Sequence, residues 1–481
     1  MQQLSVDVAI LGAGTAGLNA RRAAERAHAS ALMVDPGPFG TTCARVGCMP
    51  SKLLIAAAEA VHQAKKGEVF GFDATVRVDG ERIMARIQRE RDRFVGFVVE
   101  ATDDHEESGR LIVGRGVVTG PNDLEVRDGG EVIATVRFKT LVVATGSTPV
   151  VPPPYRGLGD RLLTSDGIFD LPTLPESLLV LGPGVIGLEL GQAMSRLGVR
   201  TTVLGLGGVV GPLQDPVMRQ KAREIFDDDL DLHADHTLES VERVAGGVRV
   251  RFTGVDGKEQ DITVQYVLSA AGRRPNLRGL GLEHLDVSLP ERGAVDFDPY
   301  TMQMGHSRVF LAGDANADRP LLHEAADEGQ IAGANAASWP EVEAHRRRVP
   351  LGVVFTDPQM ATVGRTWALH DCDRNRVGEV DYSRQGRARV MDRNKGWVRI
   401  YGEAGSGLIT GAEMIGPDVE HTAHLLAWAV QKRMTVSEAL DMPFYHPVVE
   451  EGIRTALLDL RKNLRSVRGP GVRCDEFASG S

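Results

Sequence analysis

The chain has 481 residues and a formal net charge of −10, long enough for roughly two to four domains. Its acidic balance argues against nucleic acid as the main partner, and no apolar run reaches the length that spans a membrane. After MQQLSVD the apolar run VAIL passes straight into a glycine turn, without a signal-peptide pattern, so the chain is expected in the cytoplasm, where structural disulfides are uncommon.

The first element is VDVAILGAGTAGLNARRAAERA. The apolar run Val6 to Leu11 reads as a buried parallel strand. Gly12, Gly14 and Gly17 follow in G-x-G-x-x-G spacing and lead into an alanine-rich helix. This arrangement turns tightly, brings backbone N–H groups to a pyrophosphate and packs helix on strand. The next strand, SALMVD, ends in Asp35, whose carboxylate can accept hydrogen bonds from ribose hydroxyls.

GTTCARVGCMPSK follows, with Cys43 and Cys48 one helical turn apart and Lys52 one turn further on. In a chain of four cysteines these are reduced bystanders or a redox pair. Such a pair can close a disulfide if the turn between them is locally distorted. Cys372 and Cys474 are isolated.

LVVATGSTP (Leu141 to Pro149) is a second apolar strand ending in a turn with Thr145, Gly146 and Ser147, followed by the linker VPPPY. Then the first motif recurs. SLLVLGPGVIGLELGQAMSRLGVRTTVLGLGG carries Gly182, Gly184 and Gly187, a helix that begins with Glu189 near its start, and the strand TTVL. Asp35 stands 23 residues after Gly12; the same step from Gly182 reaches Gly205, so the second copy lacks the acid. An internal repeat of this unit implies two dinucleotides. VFLAGDANA ends a strand at Gly313, Asp314 and Ala315, where ligands meet parallel sheets. A helix is expected from His323. In MPFYHPVVEEGIRTALLDLRK, Pro447 is expected in the first turn of a helix, with Glu451 one turn in and able to reach back to His446. A His–carboxylate pair of this kind fixes a tautomer and stabilises the imidazolium. Glu450 is expected to face solvent. Nothing in the pattern calls for a metal ion.

On GAGTAG, CARVGCMPSK, ATGSTP, GPGVIG, AGRRPN, AGDA, FTDPQMATVG and YHPVVEE, in that order, the chain resembles the flavin-dependent pyridine nucleotide–disulfide oxidoreductases, most of all dihydrolipoamide dehydrogenase. The resemblance implies an α/β fold with two Rossmann-like dinucleotide-binding domains and a C-terminal α+β dimerisation domain. It divides the chain into an FAD-binding domain (1–150), an NAD(P)-binding domain (151–276), a return to the FAD-binding side (277–348) and a dimerisation domain (349–481). It implies a homodimer in which the histidine of one subunit completes the site of the other.

By the same resemblance, FAD lies against Gly12, Gly14, Gly17, Asp35, Lys52, Thr145, Gly146, Ser147, Gly272, Asp314 and Ala315, and NAD or NADP against Gly182, Gly184, Gly187 and Glu189. Cys43 is then the interchange thiol, Cys48 the thiol facing the flavin, and His446 with Glu451 the catalytic base. Lys52 sits beside the flavin and pairs with Glu189. The implied reaction is oxidation of dihydrolipoamide, free or on a lipoyl protein of a 2-oxo acid dehydrogenase complex, with NAD as acceptor. Reduction of another disulfide, a metal ion or a quinone, a diaphorase or transhydrogenase activity, and a nucleotide-sensing role are the alternatives.

The segment departs from the family pattern at three places. Gly40-Thr41-Thr42-Cys43-Ala44-Arg45 stands for the usual Gly-Gly-Thr-Cys-Leu-Asn, Val448 follows His446-Pro447 where threonine is usual, and Tyr445 replaces a small residue. Gly205 stands where NAD-preferring members carry an acid, and the turn after it has no arginine. The sequence therefore predicts only modest discrimination between NADH and NADPH, below about a thousandfold.

Overall fold

The computed structural model describes residues 2–290, 295–369 and 374–465. Cys372 and Cys474 lie outside them. The described residues form two compact units, one of residues 2–50, 85–150 and 272–347, the other of residues 51–84, 151–271 and 348–465.

The first unit is built on strand Gln2–Leu11, which pairs in parallel with Ala31–Asp35 on one side and Glu131–Val143 on the other. Leu111–Val113 extends the sheet beyond Ala31–Asp35, and Val309–Leu311 pairs in parallel with the end of Glu131–Val143. The strands Arg115–Val118 and Asp123–Asp128 complete seven, both antiparallel. Val8 to Leu11 are buried without alternation, as a strand covered on both faces must be. The helices Thr15–Arg26 and Leu322–Ser338 cover one face. They can approach closely because Gly329 and Gly333 face Ala16 and Ala20; a Cβ at either glycine would lie within 2.3 Å of a backbone oxygen on the other helix.

The second unit holds a five-stranded, all-parallel sheet in the order Asp231–His233, Arg200–Leu204, Ser177–Leu181, Tyr266–Ser269, Leu162–Thr164. A three-stranded antiparallel sheet, His236–Val244, Gly247–Gly254 and Glu259–Val264, shares a core with it. The unit's C-terminal part is a five-stranded antiparallel sheet from Leu351–Val354 to Asn375–Asp381, packed against helices Val419–Gln431 and Glu451–Arg465. The strand–glycine–helix repeat thus produces a parallel set of strands in each unit, extended in the first by the antiparallel pair, and the mixed segment after residue 350 produces an α+β layer. No helix among the described residues is long and apolar enough to cross a membrane.

Candidate functional site

The first glycine loop joins strand Gln2–Leu11 to helix Thr15–Arg26. Gly17 is packed so tightly that a Cβ would lie 1.9 Å from the carbonyl oxygen of Gly12, whereas a Cβ on Gly14 would meet nothing within 4 Å. The loop therefore closes on its own backbone and leaves open space over Gly14, where a pyrophosphate needs it. Asp35 is half-buried, and its two oxygens accept N–H groups of Ala13 (2.6 Å) and Gly37 (2.7 Å). It braces the glycine loop, and a carboxylate retains lone pairs for ribose hydroxyls beyond those two bonds. This cradle fits the phosphates and ribose of FAD.

Across the same unit, Ser147 Oγ donates to Asp314 (2.6 Å), and Arg273 Nε donates to Ser147 Oγ (2.8 Å). Thr145 Oγ1 donates to the carbonyl of Asn276 (2.7 Å), and Asn276 N–H donates to the carbonyl of Gly146 (3.0 Å). The short strands Ser147–Pro149 and Arg273–Pro275 pair antiparallel and hold these groups together. Asp314 lies in the turn Gly313–Ala315, which Glu328 fixes by accepting Gly313 N–H (2.8 Å) and Asn316 Nδ2 (2.7 Å). Arg273, Asn276 and Glu328 were not among the expected site residues. The motif RRPN carried the signal for the first two; a helical glutamate among small residues carried a weaker one for Glu328.

Cys43 and Cys48 do not share one helix. Cys43 lies in helix Thr42–Val46 and Cys48 opens helix Cys48–Lys65, with the break at Gly47 (φ −126°, ψ −114°). Pro50 explains it: proline has no N–H to bond the carbonyl four residues back, and its ring collides with that carbonyl. Cys43 is half-buried and Cys48 exposed. Thr41 caps the first helix with φ 59° and ψ 152°, its Oγ1 accepting from Ala44 N–H at 3.4 Å.

In the second unit, Lys52 Nζ lies 2.7 Å from Glu189 Oε2 and 4.4 Å from the centre of the Phe355 ring. The other oxygen of Glu189 accepts the N–H of Phe355 (2.9 Å). These residues line a cleft that continues to Arg196, Asp357 and Arg393. Burial pushes the Asp357 carboxyl up, but Arg196 and Arg393 outweigh it and hold it below the usual range. Burial, with the charge of Arg196, pushes His62 down to about 4, so that it is neutral at physiological pH.

The second glycine loop repeats the first. A Cβ on Gly187 would lie 1.8 Å from the carbonyl oxygen of Gly182, and one on Gly184 would meet nothing within 4 Å. The loop fits a second dinucleotide by the same criterion.

His446 Nδ1 lies 3.0 and 3.1 Å from the carboxylate oxygens of Glu451. The pair holds the tautomer that donates from Nδ1 and leaves Nε2 as the acceptor, on a side chain 80% exposed in the single chain. The hydrogen bond from His446, then that from Val448 N–H, holds the Glu451 carboxyl below its usual range. Two expectations fail here. Pro447 is not in a helical first turn, because the helix begins only at Glu451, whose carboxylate accepts Val448 N–H (3.2 Å) and so spans the turn before it. Glu450 is half-buried rather than solvent-facing.

Residues 6–329 match the model of the pyridine nucleotide-disulphide oxidoreductases, and residues 351–457 match that family's dimerisation domain. The chain belongs to the pyridine nucleotide-disulphide oxidoreductase family. Members of this family are FAD- and NAD(P)-dependent. Dihydrolipoyl dehydrogenase 2 of Haloarcula marismortui is 28% identical over 94% of this chain and 95% of its own. Mercuric reductase of Streptomyces lividans is 33% identical over 90% of this chain and 91% of its own. Among solved structures, LpdA of Mycobacterium tuberculosis aligns with a TM-score of 0.79 at 26% identity, covering 95% of this chain and 99% of that one. The fold described above is that of this family.

Proposed function

We propose that the protein moves electrons between a nicotinamide dinucleotide and an external dithiol or disulfide through a Cys43–Cys48 disulfide, with dihydrolipoamide and NAD+ as the leading pair. The observation that carries this reading is the His446–Glu451 pair, 3.0 Å apart on an exposed loop, in a chain that also has two cysteines at a helix break. Thiol–disulfide exchange needs a base, because the thiolate is the nucleophile. In the direction written, a substrate thiol gives its proton to Nε2 of His446 and attacks Sγ of Cys43, breaking the Cys43–Cys48 bond and releasing Cys48 as a thiolate. The second substrate thiol then attacks the substrate sulfur of the mixed disulfide and displaces Cys43, which takes up that thiol's proton, so that the substrate leaves as a disulfide and the enzyme holds one thiol, one thiolate and a protonated His446. FAD, when bound, supplies the two-electron carrier between the cysteines and the nicotinamide. Gly12, Gly14, Gly17, Asp35, Ser147 and Asp314 would hold it, with Lys52 as the cation beside it.

The proposed assembly is a homodimer through residues 349–481, acting in the cytoplasm, with a lipoyl protein of a 2-oxo acid dehydrogenase complex as the partner. The 33% identity to a mercuric reductase favours a second reading, reduction of a thiol-bound metal ion. Among the described residues no group of three or more His, Cys, Asp or Glu side chains could hold a metal. Steady-state turnover of dihydrolipoamide, glutathione disulfide, mercuric ion and a quinone with each nicotinamide separates the readings. Dihydrolipoamide is expected to give the highest kcat/KM. Equal turnover by a Cys48→Ser variant would sink the dithiol reading.

A further inference from the structure

Gly205 directly follows the strand Arg200–Leu204, at the position that corresponds to Asp35 in the first glycine-loop unit. It has no room for a side chain. A Cβ there would lie 2.6 Å from Cγ of Pro183, inside the glycine loop, and 2.7 Å from the carbonyl oxygen of Ala234. Its N–H donates to the carbonyl of His233 (2.7 Å), and its carbonyl lies 2.7 Å from Nδ1 of His236. The acid missing from the sequence is therefore excluded by packing.

A carboxylate reaches the same turn from the neighbouring strand. Asp231–His233 runs parallel to Arg200–Leu204 with His233 opposite Leu204, and Asp235 follows two residues later. Oδ1 of Asp235 accepts the N–H of Gly207 (3.0 Å) and of His236 (3.0 Å). Oδ2 makes no hydrogen bond among the described residues, and the residue is half-buried. The turn over which it stands is tied to the glycine loop, since Gly211 N–H donates to the carbonyl of Pro183 (2.8 Å).

We infer that Asp235 replaces the ribose carboxylate excluded from Gly205, and so selects the 2′-hydroxyl of NAD over the 2′-phosphate of NADP. This rests on reading Gly182, Gly184 and Gly187 as the nicotinamide dinucleotide loop. One carboxylate oxygen is fixed by two N–H groups, which aims the other as an acceptor. A hydroxyl satisfies it, and a phosphate is repelled by it. The opposing charge is also present. Arg223, on helix Pro216–Asp229, has Nη1 3.8 Å from where a Cβ of Gly208 would stand, and its Nε is 3.6 Å from Asp227. With the Asp235 charge removed, a 2′-phosphate would meet this arginine without the opposing carboxylate.

The test is equilibrium binding of NAD+ and of NADP+ to the flavin-loaded protein by calorimetry, in wild type, Asp235→Asn and Gly184→Leu. Asparagine keeps an oxygen for Gly207 N–H and loses only the charge. The expected result is a rise of about tenfold or more in the affinity for NADP+ relative to NAD+ in Asp235→Asn. Gly184→Leu should weaken both dinucleotides alike. If Gly184→Leu weakens both but Asp235→Asn leaves their ratio unchanged, the loop reading stands and the role of Asp235 is overturned. Equal weakening of both by Asp235→Asn would reduce Asp235 to a brace of the turn and also overturn it. If Gly184→Leu weakens neither, the loop reading falls, and this inference with it.

Discussion

Lys52 and Glu189, 137 residues apart in the chain, meet at 2.7 Å with the glutamate side chain only 5% exposed. A carboxylate so enclosed is stable as an anion only while its partners hold it. Among the described residues it has two: the ammonium of Lys52 and the N–H of Phe355. Lys52→Met should therefore cost about 1–3 kcal/mol of stability, below the full cost of orphaning a buried charge, because the backbone donor remains. Glu189→Gln should cost less, since Lys52 is one-third exposed and can turn to water. In denaturant titrations the double variant should cost less than the sum of the two singles by about 1 kcal/mol or more. Strict additivity would mean that the ion pair contributes nothing.

Thr41 occupies φ 59°, ψ 152°, a region that glycine alone enters without strain, and a β-branched residue there stores roughly 1–3 kcal/mol. Its compensation is one long hydrogen bond, Oγ1 to Ala44 N–H at 3.4 Å. Thr41→Gly should stabilise the protein by about 1 kcal/mol, the relief of strain less the greater entropy of glycine in the unfolded chain. Chemical denaturation measures this directly. A loss of stability would show that the Thr41 cap outweighs the strain.

The parallel strands were legible because their residues are apolar on both faces, and the glycine loops because tight strand-to-helix turns leave few alternatives to glycine. Cys43, Cys48, His446 and Glu451 were legible as types and spacings. What the sequence hid was set by tertiary packing. Pro50 is visible in the sequence, but its consequence, two helices broken at Gly47, depends on where the backbone goes next. The start of the last helix at Glu451 depends on that carboxylate reaching Val448 N–H. Asp235 is unremarkable in sequence and gains its place only through the parallel register of Leu204 with His233.

Glu451 holds His446 and the N–H of Val448, and glutamine keeps an acceptor for that N–H, so Glu451→Gln should resemble a weakened base rather than a lost binding site. Glu451→Gln should lower kcat for dithiol oxidation by about 10- to 100-fold with little change in KM. Reduction of the flavin by NADH, followed by stopped-flow absorbance, should be nearly unchanged. A parallel loss in both half-reactions would place the effect in folding instead.

Glu328 is fully buried, and burial pushes its carboxyl up to about 6, against the charge of Arg347 and the hydrogen bonds from Gly313 and Asn316. In the unfolded chain it titrates near 4.5. The folded state thus binds this proton more tightly. The stability it contributes is fully present below pH 4.5 and is lost as pH rises through 6, by about 2 kcal/mol. The loss falls on the turn that carries Asp314, since Glu328 accepts the N–H of Gly313. Wild type and Glu328→Gln, melted at intervals from pH 4.5 to 6.5, should differ by an amount that changes with pH in this window and levels off above it. A pH-independent difference would mean that Glu328 keeps an ordinary titration in the fold, with Arg347 offsetting the whole cost of burial.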